Sequence, residues 1–125
     1  MKHRIYYHDT DCGGVVYYGN YLKYLEEARA EYLENKGLDV KALADSGIWF
    51  AVARQEIDYE APAKYGDILE TETVISEIKN IKIVFDCVIK NQDGKTVAKA
   101  RTIMACVDPG LKLLKIPAEV KKALT

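Results

Sequence analysis

Residues 9–22 of the chain, DTDCGGVVYYGNYL, join two acidic residues to the start of a helix through a short glycine-rich loop. Asp9 and Asp11 precede a glycine pair, and a short apolar and aromatic run follows it. Apolar residues then recur at helical spacing over residues 20–36, with one stripe formed by Tyr21, Leu25, Ala28 and Tyr32. The stretch predicts a carboxylate-bearing loop that ends at a helix N-terminus, where unpaired N–H groups attract negative charge.

The flanking segments supply the other elements of the fold. Residues 2–8 have the pattern of a short strand, Asn20 is suited to cap the long helix, and Gly37 is suited to end it. A further helical turn is expected over residues 39–46. The apolar period then changes to two, which predicts strands over 48–60, 66–77, 80–90 and 95–107. Pro117 allows a short terminal helix over residues 118–124.

The order of these elements predicts the fold class. One strand, one long helix and four strands with short links favour antiparallel neighbours along the chain. A helix against a curved antiparallel sheet of about five strands is a two-layer α+β domain, here a single domain over residues 1–125. Residues 48–60 carry apolar side chains on both faces, and one helix covers only one face. We therefore expect the other face to meet a second subunit in a homo-oligomer.

Composition excludes several classes of protein. A net charge of −1, from 18 basic and 19 acidic residues, argues against a nucleic-acid binder. The longest apolar run, residues 48–53, is too short to enter a membrane as a span, and the N-terminal residues do not resemble a signal peptide, so we expect a cytoplasmic protein. Three cysteines without CxxC spacing predict neither a disulfide framework nor a zinc site, and no metal or cofactor is expected.

Several side chains are candidates for chemistry, each with a plainer structural alternative. Asp11 is either a turn former or a catalytic carboxylate beside the access that Gly14 provides. Cys12 is flanked by acidic residues that disfavour a thiolate, so we interpret it as a loop residue. His8 has no second ligand cluster and is best explained as a surface histidine. Lys79 and Lys82 flank a predicted turn and are either plain surface or point charges for phosphate.

Residues 9–29, DTDCGGVVYYGNYLKYLEEAR, resemble the hotdog-fold acyl-CoA thioesterases, in particular the 4-hydroxybenzoyl-CoA thioesterase family and its small bacterial relatives. Further similarity runs through YEAPA at 59–63, GDILE at 66–70 and CVDP at 106–109, so the resemblance covers nearly the whole chain. It implies a long helix wrapped by an antiparallel sheet, assembly into dimers or tetramers, and active sites between subunits.

The resemblance also implies residue roles. In the family's motif the second aspartate is the catalytic carboxylate, here Asp11, and the residue seven positions later offers its N–H to the thioester carbonyl, here Tyr18. Gly14, Val16 and Tyr17 would border the substrate. Basic residues in the turn between the third and fourth strands contact coenzyme A phosphates in some members; here that turn carries Lys79 and Lys82 in place of arginines. The bacterial subgroup commonly has histidine where this chain has Tyr18, a difference that affects substrate preference.

Thioester hydrolysis needs little from the protein. A thiol is acidic enough to leave as a thiolate without a strong general acid. A carboxylate acting as nucleophile or base, together with one oxyanion donor, is then sufficient. The sequence therefore predicts hydrolysis of a short-chain or aromatic acyl-CoA by Asp11 and the Tyr18 N–H. The alternatives are a non-catalytic acyl-thioester binding protein, a thioesterase directed at acyl carrier protein and, since no histidine aligns with its site, less favourably a hotdog dehydratase.

Overall fold

The structure, a computed structural model, describes residues 1–125. Its elements follow the chain as β1 (Lys2–Arg4), α1 (Asn20–Asn35), α2 (Val40–Asp45), β2 (Trp49–Tyr59), β3 (Ile68–Ile78), β4 (Lys82–Lys90), β5 (Thr96–Val107) and α3 (Ala118–Leu124). The five strands form one antiparallel sheet in the order β1-β3-β4-β5-β2. The predicted α+β class, with one long helix and five antiparallel strands, is confirmed.

Helix α1 forms the second layer because one of its faces is continuously apolar. Tyr21, Leu25 and Ala28 of the predicted stripe are buried, whereas Leu22, beside the stripe in the first turn, is half exposed. The helix ends as expected for a glycine stop. Gly37 has a φ of +83°, and the next residue, Leu38, donates its N–H to the carbonyl of Leu33, closing the last turn.

The start of α1 differs from the prediction. Gly19, and not Asn20, occupies the capping position, and no side chain caps the first turn. Asn20 instead donates its side-chain amide to the carbonyl of Asp9 at 2.9 Å. The asparagine side chain therefore ties the preceding loop to the helix, and its backbone N–H bonds the carbonyl of Tyr17 at 2.9 Å.

The predicted strand over residues 2–8 is too long. Strand β1 ends at Arg4, and Tyr7–Asp9 form a single 3₁₀ turn. The cause is the Asp9 carboxylate, which is almost fully buried and accepts the Tyr6 N–H at 2.9 Å. A short acidic side chain thus offers the backbone a local partner in place of the strand ladder.

The prediction that consecutive strands are neighbours is wrong for β2 and β3. Strand β2 pairs with β5 at one edge of the sheet, and β3 lies between β4 and β1 near the other. The connection over residues 60–67 crosses between them and contains the fully buried Ala63. Eight residues with a proline are too long for a tight hairpin, and they span the layer beside α1.

The core has two parts along α1. The first surrounds Leu25 at the start of the helix and includes Ile5, Leu69, Ile89 and Val97. The second surrounds Phe85 near the end of the helix and takes Val120 and Leu124 from α3. Register shifts in β2 between Val52 and Arg54, and in β3 between Ile75 and Glu77, are β-bulges that increase the twist of the sheet around the helix. None of the helices combines the length and apolar character of a membrane span.

Candidate active site

The loop between the 3₁₀ turn and α1 is a small antiparallel ladder. Thr10 forms a bridge with Val16, and Asp11 donates its N–H to the carbonyl of Val15 at 2.9 Å. Gly14 closes the tip by donating to the Asp11 carbonyl at 3.0 Å, and its φ of +80° requires a glycine. The chain therefore returns sharply and holds Asp11 at the outside of the turn.

The Asp11 side chain is exposed, and one of its two carboxylate oxygens accepts a hydrogen bond. Its Oδ1 accepts the Gly13 N–H at 2.8 Å, as in an Asx turn. Its Oδ2 has no hydrogen-bond partner in the chain. The turn-forming role weighed from the sequence is therefore present, and it fixes the carboxylate while one oxygen remains available to a reacting group.

Asp9 has a different role from Asp11. Besides its bond to the Tyr6 N–H, its Oδ1 lies 3.6 Å from Lys23 Nζ and 3.7 Å from His8 Nε2. Its backbone carbonyl accepts the Tyr17 N–H at 2.9 Å. Asp9 therefore fastens the loop to α1 from within, which is a structural role.

The N-terminus of α1 presents free donors at Tyr18 and Gly19. Neither backbone N–H makes a hydrogen bond within the chain. The Tyr17 ring packs over Gly19 so closely that a Cβ added there would lie 2.7 Å from the ring. A glycine at this position lets the ring cover the helix start, and the exposed N–H groups carry the positive end of the helix dipole.

A cleft of 290 Å³ lies beside these donors. Tyr18, Tyr21 and Tyr59 line it, together with Val15, Val16 and Ala61. The Tyr59 ring stands edge-on to Tyr21 at 5.3 Å and to Tyr18 at 6.4 Å between centroids. Burial raises the pKa of the Tyr21 and Tyr59 phenols, so these rings are neutral at ordinary pH. The cleft is therefore a mainly aromatic surface, with Glu60 as its one acidic lining residue.

The structure brings some of the predicted site residues together. Tyr18 and Val16 line the cleft, and Val16 is almost fully buried, so it contributes from the floor. Tyr17 is half exposed and lies over the helix start, 4.8 Å from Tyr18 between ring centroids. Asp11 lies opposite Val15 on the ladder, so about three residues, or roughly 10 Å of backbone, separate it from Tyr18.

Lys79 and Lys82 lie elsewhere in the same chain. Tyr59 pairs with Ala98 at one end of β5, whereas Lys82 pairs with Ala105 near the other end. Strand β4 is nine residues long, so roughly 30 Å separate its two ends. The Lys79 ammonium lies 3.4 Å from the carboxylate of Glu77, two residues earlier in β3. Within one chain, these lysines do not join the Tyr18 cleft.

Three residues of the cleft have no role that the sequence predicts: Tyr59, Tyr21 and Ala61. Tyr59 donates its hydroxyl to the carbonyl of Tyr18 at 3.2 Å, across a sequence separation of 41. The signal was present in the YEAPA segment, which had been noted only for its similarity. The position of that segment depends on the crossover after β2, which was predicted as a simple turn. No group of three or more histidine, cysteine or acidic side chains has the geometry of a metal site.

Comparison with known proteins agrees with this fold. A family model described as the thioesterase-like superfamily matches residues 6–124. An acyl-CoA thioesterase YbgC of Haemophilus influenzae is 40% identical over 122 residues, which cover 96% of this chain and 89% of that protein.

Two solved structures extend the comparison. A 1,4-dihydroxy-2-naphthoyl-CoA thioesterase from Synechocystis superimposes with a TM-score of 0.91 at 25% identity and covers 99% of this chain and 93% of that one. A 4-hydroxybenzoyl-CoA thioesterase mutant, solved with 4-hydroxybenzoyl-CoA, has a TM-score of 0.91 at 24% identity and covers 100% and 96%. These neighbours confirm the hotdog fold.

Proposed function

The chain belongs to the thioesterase-like superfamily and is an acyl-CoA thioesterase, and from this premise we propose that Asp11 and the Tyr18 N–H hydrolyse a short-chain or aromatic acyl-CoA. The observation that carries the proposal is the free donor at the start of α1, beside a loop that fixes one carboxylate. The Tyr18 N–H has no partner in the chain, and Asp11 keeps one free oxygen.

Two steps follow from this arrangement. The thioester carbonyl oxygen accepts the Tyr18 N–H, which stabilises the negative charge that develops there. Asp11 either removes a proton from the water that attacks the carbonyl carbon, or attacks that carbon itself and forms an anhydride that water then cleaves. In both routes the carbon–sulfur bond breaks, the thiol departs as thiolate and then takes up a proton, and the acyl group is released as a carboxylate.

The lining of the Tyr18 cleft supports an aromatic or short-chain acyl group. Its walls are the rings of Tyr18, Tyr21 and Tyr59, and edge-to-face contacts with such rings favour an aromatic or short apolar acyl group. The Synechocystis neighbour is named for an aromatic acyl-CoA, which supports the same class. Val16 lines the cleft, and we expect Gly14 and Tyr17, its neighbours in the loop, to border the bound substrate.

Coenzyme A would then be held with the help of a second copy of the chain. Lys79 and Lys82 lie at the far end of the sheet from their own Tyr18 cleft, so they contact the nucleotide of a bound acyl-CoA only across an interface. Such a site requires a homo-oligomer, a dimer or a tetramer. The side chains are ammonium groups on flexible stems, which suit point-charge contacts to phosphate.

The first test is an Asp11→Asn variant measured on a panel of acyl-CoAs with a thiol reagent. Asparagine has nearly the same shape but cannot act as a base or a carboxylate nucleophile, so we expect kcat to fall by at least ~100-fold while KM changes little. Cys12→Ala is the matched control in the same loop and should keep the activity. An inactive Cys12→Ala protein together with an active Asp11→Asn protein would replace the proposal with a cysteine nucleophile.

The same panel of substrates also shows which thiol carrier the enzyme accepts. The same acyl groups are presented on coenzyme A, on pantetheine and on acyl carrier protein. Hydrolysis confined to the acyl carrier protein arm would make the enzyme a thioesterase directed at that carrier. Binding of every acyl-CoA without turnover would favour the non-catalytic alternative.

A further inference from the structure

The seam between β1 and α1, where His3 packs against residues 23–27 of the helix, holds buried polar groups that make no hydrogen bond. The side-chain atoms of this kind are His3 Nε2, the Tyr24 hydroxyl and Thr71 Oγ1. The His3 and Tyr24 rings face each other across the seam, with centroids 4.8 Å apart. His3 pairs with Leu69 of β3, and Thr71 follows on the same face, so β3 brings no charge to this side. Buried polar groups are normally paired, which makes this seam unusual.

His3 is the member of the seam that can change its charge near neutral pH. Its side chain is 10% exposed, and its Nδ1 lies 3.4 Å from Oε2 of Glu27. In the neutral ring, Nδ1–H donates to that carboxylate, and Nε2 is a buried acceptor without a donor. A proton on Nε2 makes it a buried charged donor without an acceptor, which costs more than the unpaired neutral atom. The packed seam therefore favours the neutral imidazole.

The charges that face His3 do not reverse this preference. Burial is the main cause that lowers the pKa of His3; the carboxylates of Glu27 and Glu31 oppose the shift, and the ammonium groups of the N-terminus and Lys23 add to it. The Glu27 side chain is 41% exposed, so water screens its charge. The folded chain thus binds the proton less readily than the unfolded chain. The seam is most stable above about pH 6.5, the ordinary histidine value, and it loses stability as the pH falls below that value.

The helix residues that face His3 also hold the loop that carries Asp11. Lys23 Nζ lies 3.6 Å from Oδ1 of Asp9 and contributes to the charge around His3. Tyr24 packs on His3, and burial, followed by the Asp9 carboxylate, raises the pKa of the Tyr24 hydroxyl. The chain reaches Asp11 two residues after Asp9. His3 and the Asp11 loop are therefore fastened to one short stretch of the helix.

We propose that His3 is a positioning residue for the hydrolysis, because its neutral ring lets β1 seat on α1 and so keeps the Asp9 attachment and the Asp11 loop in place. Protonation of the ring separates β1 from α1, loosens the loop and lowers turnover. The effect on turnover rests on the proposed function of Asp11, whereas the acid sensitivity of the seam does not. His3 touches no reacting atom, so the loss lies in kcat with little change in KM.

The first test compares the wild-type enzyme with His3→Gln on the best acyl-CoA, at about pH 7.5 and about pH 5.5. Glutamine keeps a donor and an acceptor but does not titrate. We expect the ratio of wild-type to variant kcat to fall by at least ~3-fold between the two pH values, with a constant ratio of KM. Any effect of pH on Asp11 is common to both enzymes and cancels in the ratio. His8→Gln is the matched control, because it removes the other histidine, which is exposed, and it should keep the wild-type loss.

Glu27→Gln tests the direction of the electrostatic effect. The Glu27 carboxylate favours the protonated ring in the folded protein, so its removal increases the difference in proton binding between the folded and the unfolded chain. We expect this variant to lose about 2-fold more kcat than wild type between the same two pH values. A smaller loss in Glu27→Gln than in wild type would contradict the role of His3.

Two further measurements do not depend on activity. The urea midpoint should fall more in wild type than in His3→Gln over the same pH range. In the His8→Gln protein one imidazole remains, and we expect its NMR signal to titrate below the ordinary histidine value. Both results should persist when Asp11→Asn is added, so a failure of the active-site assignment is distinguishable from a failure of this proposal.

The outcomes separate a positioning role from a merely structural one. A kcat ratio that is constant with pH would overturn the proposal, even where the urea midpoint depends on His3, because the seam would then not act on the loop. An imidazole that titrates at the ordinary histidine value would overturn it as well. If His3→Gln does not fold, the NMR titration and the Glu27→Gln kinetics decide.

Discussion

Among single residues, Tyr59 connects the edge of the sheet to the active loop. Its hydroxyl donates to the Tyr18 carbonyl, and that carbonyl belongs to the same peptide unit as the free Gly19 N–H. A hydrogen bond to a carbonyl polarises the N–H on the other side of the peptide. Tyr59 therefore fixes the backbone at the helix start and strengthens a donor there.

We expect Tyr59→Phe to lower kcat about 5-fold with little change in KM, since one net hydrogen bond contributes about 1 kcal/mol. The ring stays in place, so the cleft keeps its shape. Steady-state kinetics on the best acyl-CoA measures the effect. Tyr65→Phe is the control, because Tyr65 is exposed and its hydroxyl makes no hydrogen bond. Wild-type kcat in the Tyr59→Phe enzyme would remove this residue from the positioning of the site.

The candidate site could be predicted from the sequence where it lies in one continuous loop. Asp11, Gly14 and Tyr18 are close in sequence, and the spacing of acid, glycine and helix start carries their geometry. Tyr59 and Tyr21 could not be placed in the same way. Their meeting depends on the crossover after β2, and a tyrosine at the end of an edge strand gives no local signal of its partner.

Among the secondary-structure elements, α1 contains two leucines, three residues apart, that differ strongly in burial. Leu25 is fully buried in the core, and Leu22, one turn earlier and beside it on the helix, is 50% exposed. We expect Leu25→Ala to lower the free energy of unfolding by about 2–5 kcal/mol, because the deletion leaves a cavity. Leu22→Ala, on the same helix, should change it by no more than about 0.5 kcal/mol.

Denaturant unfolding monitored by circular dichroism measures both leucine variants. Equal losses of unfolding free energy would mean that the Leu22 side chain is also covered. A second copy of the chain would be the natural cover, and the protein concentration dependence of the midpoint would then reveal it.

The apolar pattern of the sequence predicted which segments are strands, but it did not predict the order of those strands in the sheet. Alternating apolar residues placed β4 correctly, with Ile83, Phe85, Cys87 and Ile89 all buried on one face. The order β1-β3-β4-β5-β2 follows from long-range burial that a period of two does not encode. Likewise, the short β1 follows from one buried carboxylate at Asp9, which a sequence pattern treats as a loop residue.

For the whole molecule, the distance between the Tyr18 cleft and the turn that carries Lys79 and Lys82 has a kinetic consequence. If Lys79 and Lys82 hold nucleotide phosphates across an interface, the Lys79→Ala/Lys82→Ala double variant should raise KM for acyl-CoA several-fold. Hydrolysis of the matching acyl-pantetheine, which lacks the nucleotide, should be unchanged. Equal losses on both substrates would place these lysines outside the binding site.

Assembly is the second property of the whole molecule. Trp49, Val52, Val74 and Ile68 are large apolar side chains that are 41% to 56% exposed on the strands. Strand β2 is also an edge with open backbone groups. We expect a dimer or a tetramer, measured by light scattering. A stable 14.1 kDa monomer at micromolar concentration would contradict this expectation.

The crossover after β2 also delays the pairing of that strand during synthesis, because its partner β5 is the last strand in the sequence. A ribosome releases Trp49 long before Val107, its partner in the sheet, and β2 has no other neighbour. At about 5–20 residues per second, the strand waits seconds with its apolar side chains uncovered. During this time β2 exposes its apolar side chains and has no strand to pair with. The yield of folded protein in the cell should therefore depend on translation speed through β3, β4 and β5.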